Sequence, residues 1–163
     1  MKRTCSYTVI LATLSFAFGC RPPGESEEQM IAGAKALDQQ FVAAYKKGDV
    51  DGVMAAYWNS PELVSYPPDA METRGWRATK ENLIHFFATV PGPDLELTEV
   101  NYKVAGDVVL SWGKWRLTLA TPGGETALEG RYTDVKAKRD GKWVYILDHA
   151  SVPLAPPPGA GEE

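Results

Sequence analysis

Four strand-like runs fill the second half of this chain, and the turns between them constrain the fold more than any other feature. Residues 95–104, 108–119, 127–138 and 143–152 alternate in polarity or are rich in β-branched and aromatic side chains. Gly106-Asp107, Pro122-Gly123-Gly124 and Asp140-Gly141 separate them, and such pairs favour tight reversals. The spacing predicts a meander of antiparallel strands. Upstream, the period changes. Ile31, Ala34, Leu37, Phe41, Ala44 and Tyr45 recur every three or four residues, a helical stripe that stops at Gly48. Asp49 is placed to cap a short second helix carrying Val53, Met54 and Tyr57. Residues 63–66 read as a short strand halted by Pro67-Pro68. Thr79 reads as the cap of a third helix running through Leu83, Ile84, Phe86 and Phe87 to Val90, ended by Pro91-Gly92-Pro93. Helices first and strands afterwards predict an α+β fold, with helices on one face of a curved, mostly antiparallel sheet.

Length and composition bound what such a domain can do. The chain has 163 residues, 44% of them hydrophobic, which suits one globular domain. Seventeen Lys and Arg against 21 Asp and Glu leave a net charge of −4, which argues against nucleic acid as a partner. Both cysteines, Cys5 and Cys20, fall in the first twenty residues. A disulfide framework, a zinc knuckle or a cysteine nucleophile in the folded domain is thereby excluded. Two histidines 64 residues apart make no metal-ligand spacing. No phosphate loop, nucleophile elbow or dinucleotide fingerprint occurs, so neither a metal nor a cofactor is supported.

The N-terminus reads as an address. Lys2 and Arg3 precede an apolar run over residues 7–18, too short for an ordinary membrane span and of signal-peptide length. Ala17-Phe18-Gly19-Cys20 resembles a bacterial lipobox, which implies lipidation at Cys20. Arg21 after that cysteine, rather than Asp, resembles lipoproteins sent on to the outer membrane. The expected organisation is a signal peptide over residues 1–19, a lipidated cysteine and tether over 20–26, a domain over 27–152, and a disordered Pro/Gly-rich tail over 153–163. The expected location is the cell envelope. Contact with the membrane would come from the lipid anchor alone, since an acidic chain gains nothing from anionic lipid.

A family resemblance rests on the stretch from Phe41 through Gly48-Asp49 to Tyr57, on Gly75 before the third helix, and on Gly130-Arg131-Tyr132-Thr133-Asp134 with Asp140-Gly141-Lys142-Trp143 and Asp148-His149-Ala150-Ser151. These segments resemble the NTF2-like superfamily, and within it the SnoaL-like domains related to the association domain of calmodulin-dependent kinase II. The resemblance implies a cone in which a bent sheet wraps on helices around an apolar pocket, commonly dimerising through the sheet's outer face. It implies binding of a small, largely apolar molecule. Some relatives are isomerases, cyclases or dehydratases. Isomerase chemistry needs a carboxylate base and acidic donors. The position of the isomerases' helix tyrosine falls on Phe41 and that of the base near Tyr66, while Asp69 lies beyond two prolines. The isomerase equipment is absent.

The turns also predict which side chains share a face. If residues 139–142 close the last hairpin, Lys138 opposes Trp143 and Tyr132 opposes His149. If residues 122–125 close the preceding one, Thr121 opposes Thr126 and Trp115 opposes Tyr132. Trp115, Tyr132 and His149 then form one row, joined by Asp134, Leu117, Leu119, Leu128, Tyr145 and Leu147. Lys114, Arg116, Glu129, Arg131 and Asp148 take the opposite face with Trp112, Val135 and Ile146. The first face is the candidate pocket, with Tyr66, Trp115, Tyr132, Asp134 and His149 as ligand-binding residues. The second is the candidate homodimer surface. Asp134, diagonal to His149, would orient the imidazole if the domain is a SnoaL-type enzyme. Otherwise His149 is a buried structural histidine that pins the last strand. A third reading is an assembly module whose cone is filled by its own side chains. Arg116 and Arg131 read as an ion-pair rim or an anion site. Trp58 and Trp76 read as rim residues of the cone, and His85 as exposed.

Overall fold

The computed structural model describes residues 24–154 apart from Pro91 and Pro122. The expected signal segment, Cys20 and most of the expected tail lie outside the described residues. Helix α1 (Glu27–Lys46) opens on a capping box, with Ser26 Oγ accepting from Gln29 and the Gln29 side chain returning to the Ser26 amide. Helix α2 (Val50–Met54) is capped by Asp49, which accepts from the Gly52 amide at 2.9 Å. Strands β1 (Val64–Tyr66) and β2 (Thr73–Arg74) lead into helix α3 (Trp76–Thr89). Then follow β3 (Asp94–Ala105), β4 (Val108–Thr121), β5 (Gly124–Arg139) and β6 (Lys142–Ser151). Helix α3 starts a turn earlier than Thr79 predicts. Its N-cap is Gly75, and the Thr79 hydroxyl instead donates to the Gly75 carbonyl.

The six strands form one sheet in the order β2-β1-β6-β5-β4-β3, antiparallel except where β1 meets β6. Helices cover one face, the α+β arrangement that the periodicity predicts. Two aromatic clusters fill the space between helices and sheet. One gathers Leu37, Val53, Met54, Tyr57, Leu63 and Tyr145; the other gathers Leu95, Trp115, Leu117 and Tyr132. Phe41 belongs to both, its ring 5.4 Å from that of Tyr145 and 5.9 Å from that of Tyr57, each edge-on. Such contacts add about 0.5–1.5 kcal/mol each beyond the area they bury.

Two departures from regular pairing decide which residues face inward. The β4–β5 turn is tighter than expected, with Thr121 opposite Gly124 and Trp115 opposite Gly130. A slip of two residues preserves faces, so Trp115 and Tyr132 still share the inner one. The β5–β6 pair slips by one. Lys138 opposes Trp143 as the turn predicts, but between Lys136–Tyr145 and Val135–Leu147 the residue Ile146 is bulged out. Beyond it Asp148 opposes Asp134 and His149 opposes Thr133. The bulge sits where β6 changes neighbours. The Tyr145 backbone bonds Ala56 and Trp58, whereas Leu147, Asp148 and His149 pair with β1. A one-residue slip reverses every side chain beyond it.

Candidate functional site

Beneath α1 the inner face carries a closed polar cluster. Lys136 is wholly buried, with its ammonium 2.8 Å from Asp134 Oδ1 and 3.0 Å from Asp38 Oδ1, and it also donates to Ser111 Oγ. Ser111 donates to Asp134, Tyr102 donates to Asp38 Oδ2 at 2.7 Å, and Tyr145 donates to Asp38 Oδ1. Every partner faces inward by strand alternation, and Asp38 lies on the buried stripe of α1 beside Ala34 and Leu37. Burial pushes the Asp134 carboxyl up to about 7 against the opposing pull of Lys136 and Ser111. Tyr132 adjoins this network without a hydrogen bond to it. Its hydroxyl is the one buried side-chain polar atom without a partner among the described residues. Burial, then the carboxylates Asp38 and Asp134, hold its phenol well above the ordinary range.

The five residues expected to line the pocket divide between the two faces. Trp115, Tyr132 and Asp134 are inside and buried; Tyr66 and His149 lie together outside, their rings 6.1 Å apart and edge-on. His149 is exposed and Asp134 is on the far side of the sheet, so the His149–Asp134 pair does not form. The Ile146 bulge is the reason. It brings Asp148 inward in the place expected for His149, where Asp148 accepts a 2.7 Å hydrogen bond from Tyr57. Burial raises the Asp148 carboxyl, and the Tyr57 bond offsets part of that rise. Leu147, expected inside, faces outward for the same reason. Trp115 packs in the core with its indole donating to the Arg131 carbonyl at 3.2 Å, and Trp76 donates to the Met54 carbonyl at 3.0 Å. His85 is exposed. Asp38, Ser111, Tyr102 and Lys136 are the residues that sequence reasoning missed.

A cleft of about 510 Å³ opens between α1 and the edge strand β3. Val42, Leu95, Leu97 and Val100 line its walls, and Asp38 with Tyr102 makes its polar end. Lys35 stands over the Tyr102 ring at 5.5 Å, and Lys46 at the other end holds Asp94 at 2.6 Å. The β3 bulge between Thr98 and Asn101 helps shape the wall. It lies across from Gly113, where a Cβ would come within 2.8 Å of the Thr98 carbonyl and 3.1 Å of the Tyr132 ring. Glycine is required there by close approach. Among the described residues no His, Cys, Asp and Glu group is arranged to hold a metal, and no helix is long and apolar enough to cross a membrane.

Solved structures share this architecture. A provisionally named calcium/calmodulin-dependent protein kinase II association domain from Xanthomonas campestris is 25% identical, with a TM-score of 0.65 over 80% of this chain and 91% of that one. An NTF2-like superfamily protein from Salmonella enterica is 20% identical, with a TM-score of 0.71 over 84% and 100%. An NTF2-like protein from Streptomyces avermitilis, provisionally named a dehydratase, is 16% identical, with a TM-score of 0.73 over 78% and 99%. The latter two speak to fold alone. No curated protein matches the chain. The SnoaL-like domain family matches residues 34–155, which include α1 from Ala34, the cleft and the whole sheet. This chain belongs to the SnoaL-like domain family, on the NTF2-like fold.

Proposed function

We propose that this domain binds a small, largely apolar molecule in the cleft between α1 and β3. The observation that carries the reading is the cleft's size and lining. A volume of about 510 Å³ walled by Val42, Leu95, Leu97 and Val100 lies within the usual range of ligand pockets, roughly 300–1,000 Å³. Lys35, Gln39 and Thr98 in the same lining give the polar groups that orient such a ligand. The aromatic side chains packed inside the cone move the site from its centre to this side opening. Native mass spectrometry of the gently purified chain tests the reading. Extra mass on the protein, lost in Val42→Trp while the fold persists, is the expected result. A bare mass, together with failure of the cleft to take up the apolar dye anilinonaphthalene sulfonate in a Val42-dependent way, overturns it.

One observation favours an enzyme instead. Burial pushes the Asp134 carboxyl up to about 7, and the Tyr132 hydroxyl on the same inner face has no partner, so a base and a donor are present without His149. Turnover abolished by Asp134→Asn in a chain that still unfolds cooperatively would support that reading. The sequence further supports two proposals about context. Export with lipidation at Cys20 would place the domain in the cell envelope, and palmitate labelling lost in Cys20→Ser tests it. A homodimer would use the outer-face rows of Val64, Leu110, Val135 and Leu147. Sedimentation at rising concentration tests that proposal, and a monomer throughout refutes it.

A further inference from the structure

We propose, on the footing that the cleft between α1 and β3 is the binding site, that its occupant is a linear fatty acid, held with its carboxylate at Lys35 and its chain running toward Lys46. Shape selects the chain, and charge selects the head and its direction.

The walls are two straight lines. Lys35, Gln39, Val42 and Lys46 recur at helical spacing along α1, a single stripe beside the buried one. Leu95, Leu97, Val100 and Tyr102 line the cleft from β3, which runs the opposite way, so that Asp94 meets Lys46 and Tyr102 meets Lys35. Between these ends the helix rises about 16 Å. The middle is apolar, and Val42, Leu97 and Val100 are only half-buried. A long slot with unfilled apolar walls suits one extended alkyl chain. A fused ring system would need depth that the packed rings of Phe41, Trp115 and Tyr132 already occupy.

Charge is spread unevenly along the slot. At one end the Lys46 ammonium is taken by Asp94 at 2.6 Å, and Glu96 in the lining adds a second acid. At the other, the Lys35 ammonium stands over the Tyr102 ring at 5.5 Å, with no carboxylate within ion-pair distance among the described residues. Asp38, also in the lining, is already answered by Lys136 at 3.0 Å and by the Tyr102 and Tyr145 hydroxyls. Gln39, one turn from Lys35 on the same helix face, adds an amide N–H donor. One unpaired monocation with a donor beside it matches a monoanionic head. The acids at the far end repel such a head, which fixes the direction of the chain and sets its terminal methyl toward Leu95.

Calorimetric titration of the full chain with decanoate, at neutral pH and below its micelle concentration, tests the assignment. Decanol serves as the neutral analogue and decylammonium as the cationic one, with melting curves for each variant. Decanoate should bind saturably and lose about fivefold in affinity in Lys35→Gln, the scale of an exposed ion pair, while decanol binding is unchanged by that substitution. Lys103→Gln, on β3 but outside the cleft, should change neither. Val42→Trp should abolish both. Decanoate binding indifferent to Lys35→Gln, a loss that follows Lys46→Gln instead, or tighter binding of decylammonium overturns the fatty acid. Where Val42→Trp still abolishes the binding in those cases, the cleft stands as an apolar site without a preference for acids. Absence of saturable decanoate binding also overturns the fatty acid, and the cleft itself is then decided by the native mass and the dye.

Discussion

The two faces of this sheet share one backbone and treat polar side chains in opposite ways. Inside, Asp38, Asp134 and Lys136 are buried, and each is bonded within a single cluster. Outside, Lys114, Arg116, Arg131 and His149 stand in solvent, and their ion pairs are single and exposed. The difference teaches where change is tolerated. A buried charge depends on every partner it has, because water cannot replace one that is lost. An exposed charge depends on none. The inner face is therefore brittle and the outer face permissive.

The largest effect expected from this contrast is at Asp38. Asp38→Ala removes an acceptor from the Lys136 ammonium and leaves the Tyr102 and Tyr145 hydroxyls without theirs. Chemical denaturation should show a loss of about 3–5 kcal/mol. Arg131→Gln outside should stay within about 0.5 kcal/mol of wild type. Equal losses at the two positions would break the comparison. Replacing the whole cluster by apolar residues of similar volume should recover much of the Asp38→Ala loss, as buried ion networks often permit.

The next effect is a pH dependence that only the inner face should show. Asp134 is raised by burial from an ordinary 3.8 to about 7. At pH values below this window both the folded and the unfolded chain hold its proton. Inside the window only the folded chain does, so stability falls as pH rises through it and levels off above. Asp148, also raised by burial, acts in the same sense. The decline should be about 2–4 kcal/mol between pH 4 and pH 8. Asp134→Asn should flatten the Asp134 part of that curve. A stability that instead rises over this range means Asp134 is held as a carboxylate by Lys136.

A smaller effect tests packing on the same face. The Trp115 indole lies directly over Gly130, and a Cβ at that position would also meet the Ser151 carbonyl. Gly130→Ala should destabilise by about 1–3 kcal/mol, because neither a buried indole nor a strand carbonyl can give way cheaply. Glycine in a strand is otherwise unfavourable, so a gain in stability here would show that the indole is not seated as described.

These contrasts were only partly visible in the sequence. The four strand runs, their turns and the stripe of α1 follow from periodicity, and the strands form over nearly the expected ranges. The inner polar cluster left a signal in the same periodicity. Asp38 falls on the buried stripe between Leu37 and Phe41, and Ser111, Asp134 and Lys136 fall on inward positions of β4 and β5. Read together, they mark a network, since four polar groups aimed at one core must satisfy one another. The Ile146 bulge left no comparable sign. It depends on β6 exchanging one backbone partner for another, a tertiary event that alternation along a single strand cannot register. That one residue exchanged Asp148 for His149 at the core and carried apart the His149–Asp134 pair that an enzyme reading would have used.

The smallest predicted effect bears most directly on that bulge. With Ile146 bulged, the His149 side chain is exposed and touches chiefly Tyr66, so His149→Ala should change stability by less than about 0.5 kcal/mol. On a regular strand the same side chain would face the core beside Tyr132. Its removal there would leave a cavity and unpaired polar neighbours, at a cost of about 2 kcal/mol or more. Asp148→Ala gives the complementary reading. It should cost about 1–3 kcal/mol, because the buried Tyr57 hydroxyl loses its acceptor. On a regular strand Asp148 would be the exposed member of the pair and its loss would be silent. Two adjacent substitutions thus report opposite outcomes for the two registers. Denaturation curves of His149→Ala and Asp148→Ala, measured side by side, decide which residue faces the core.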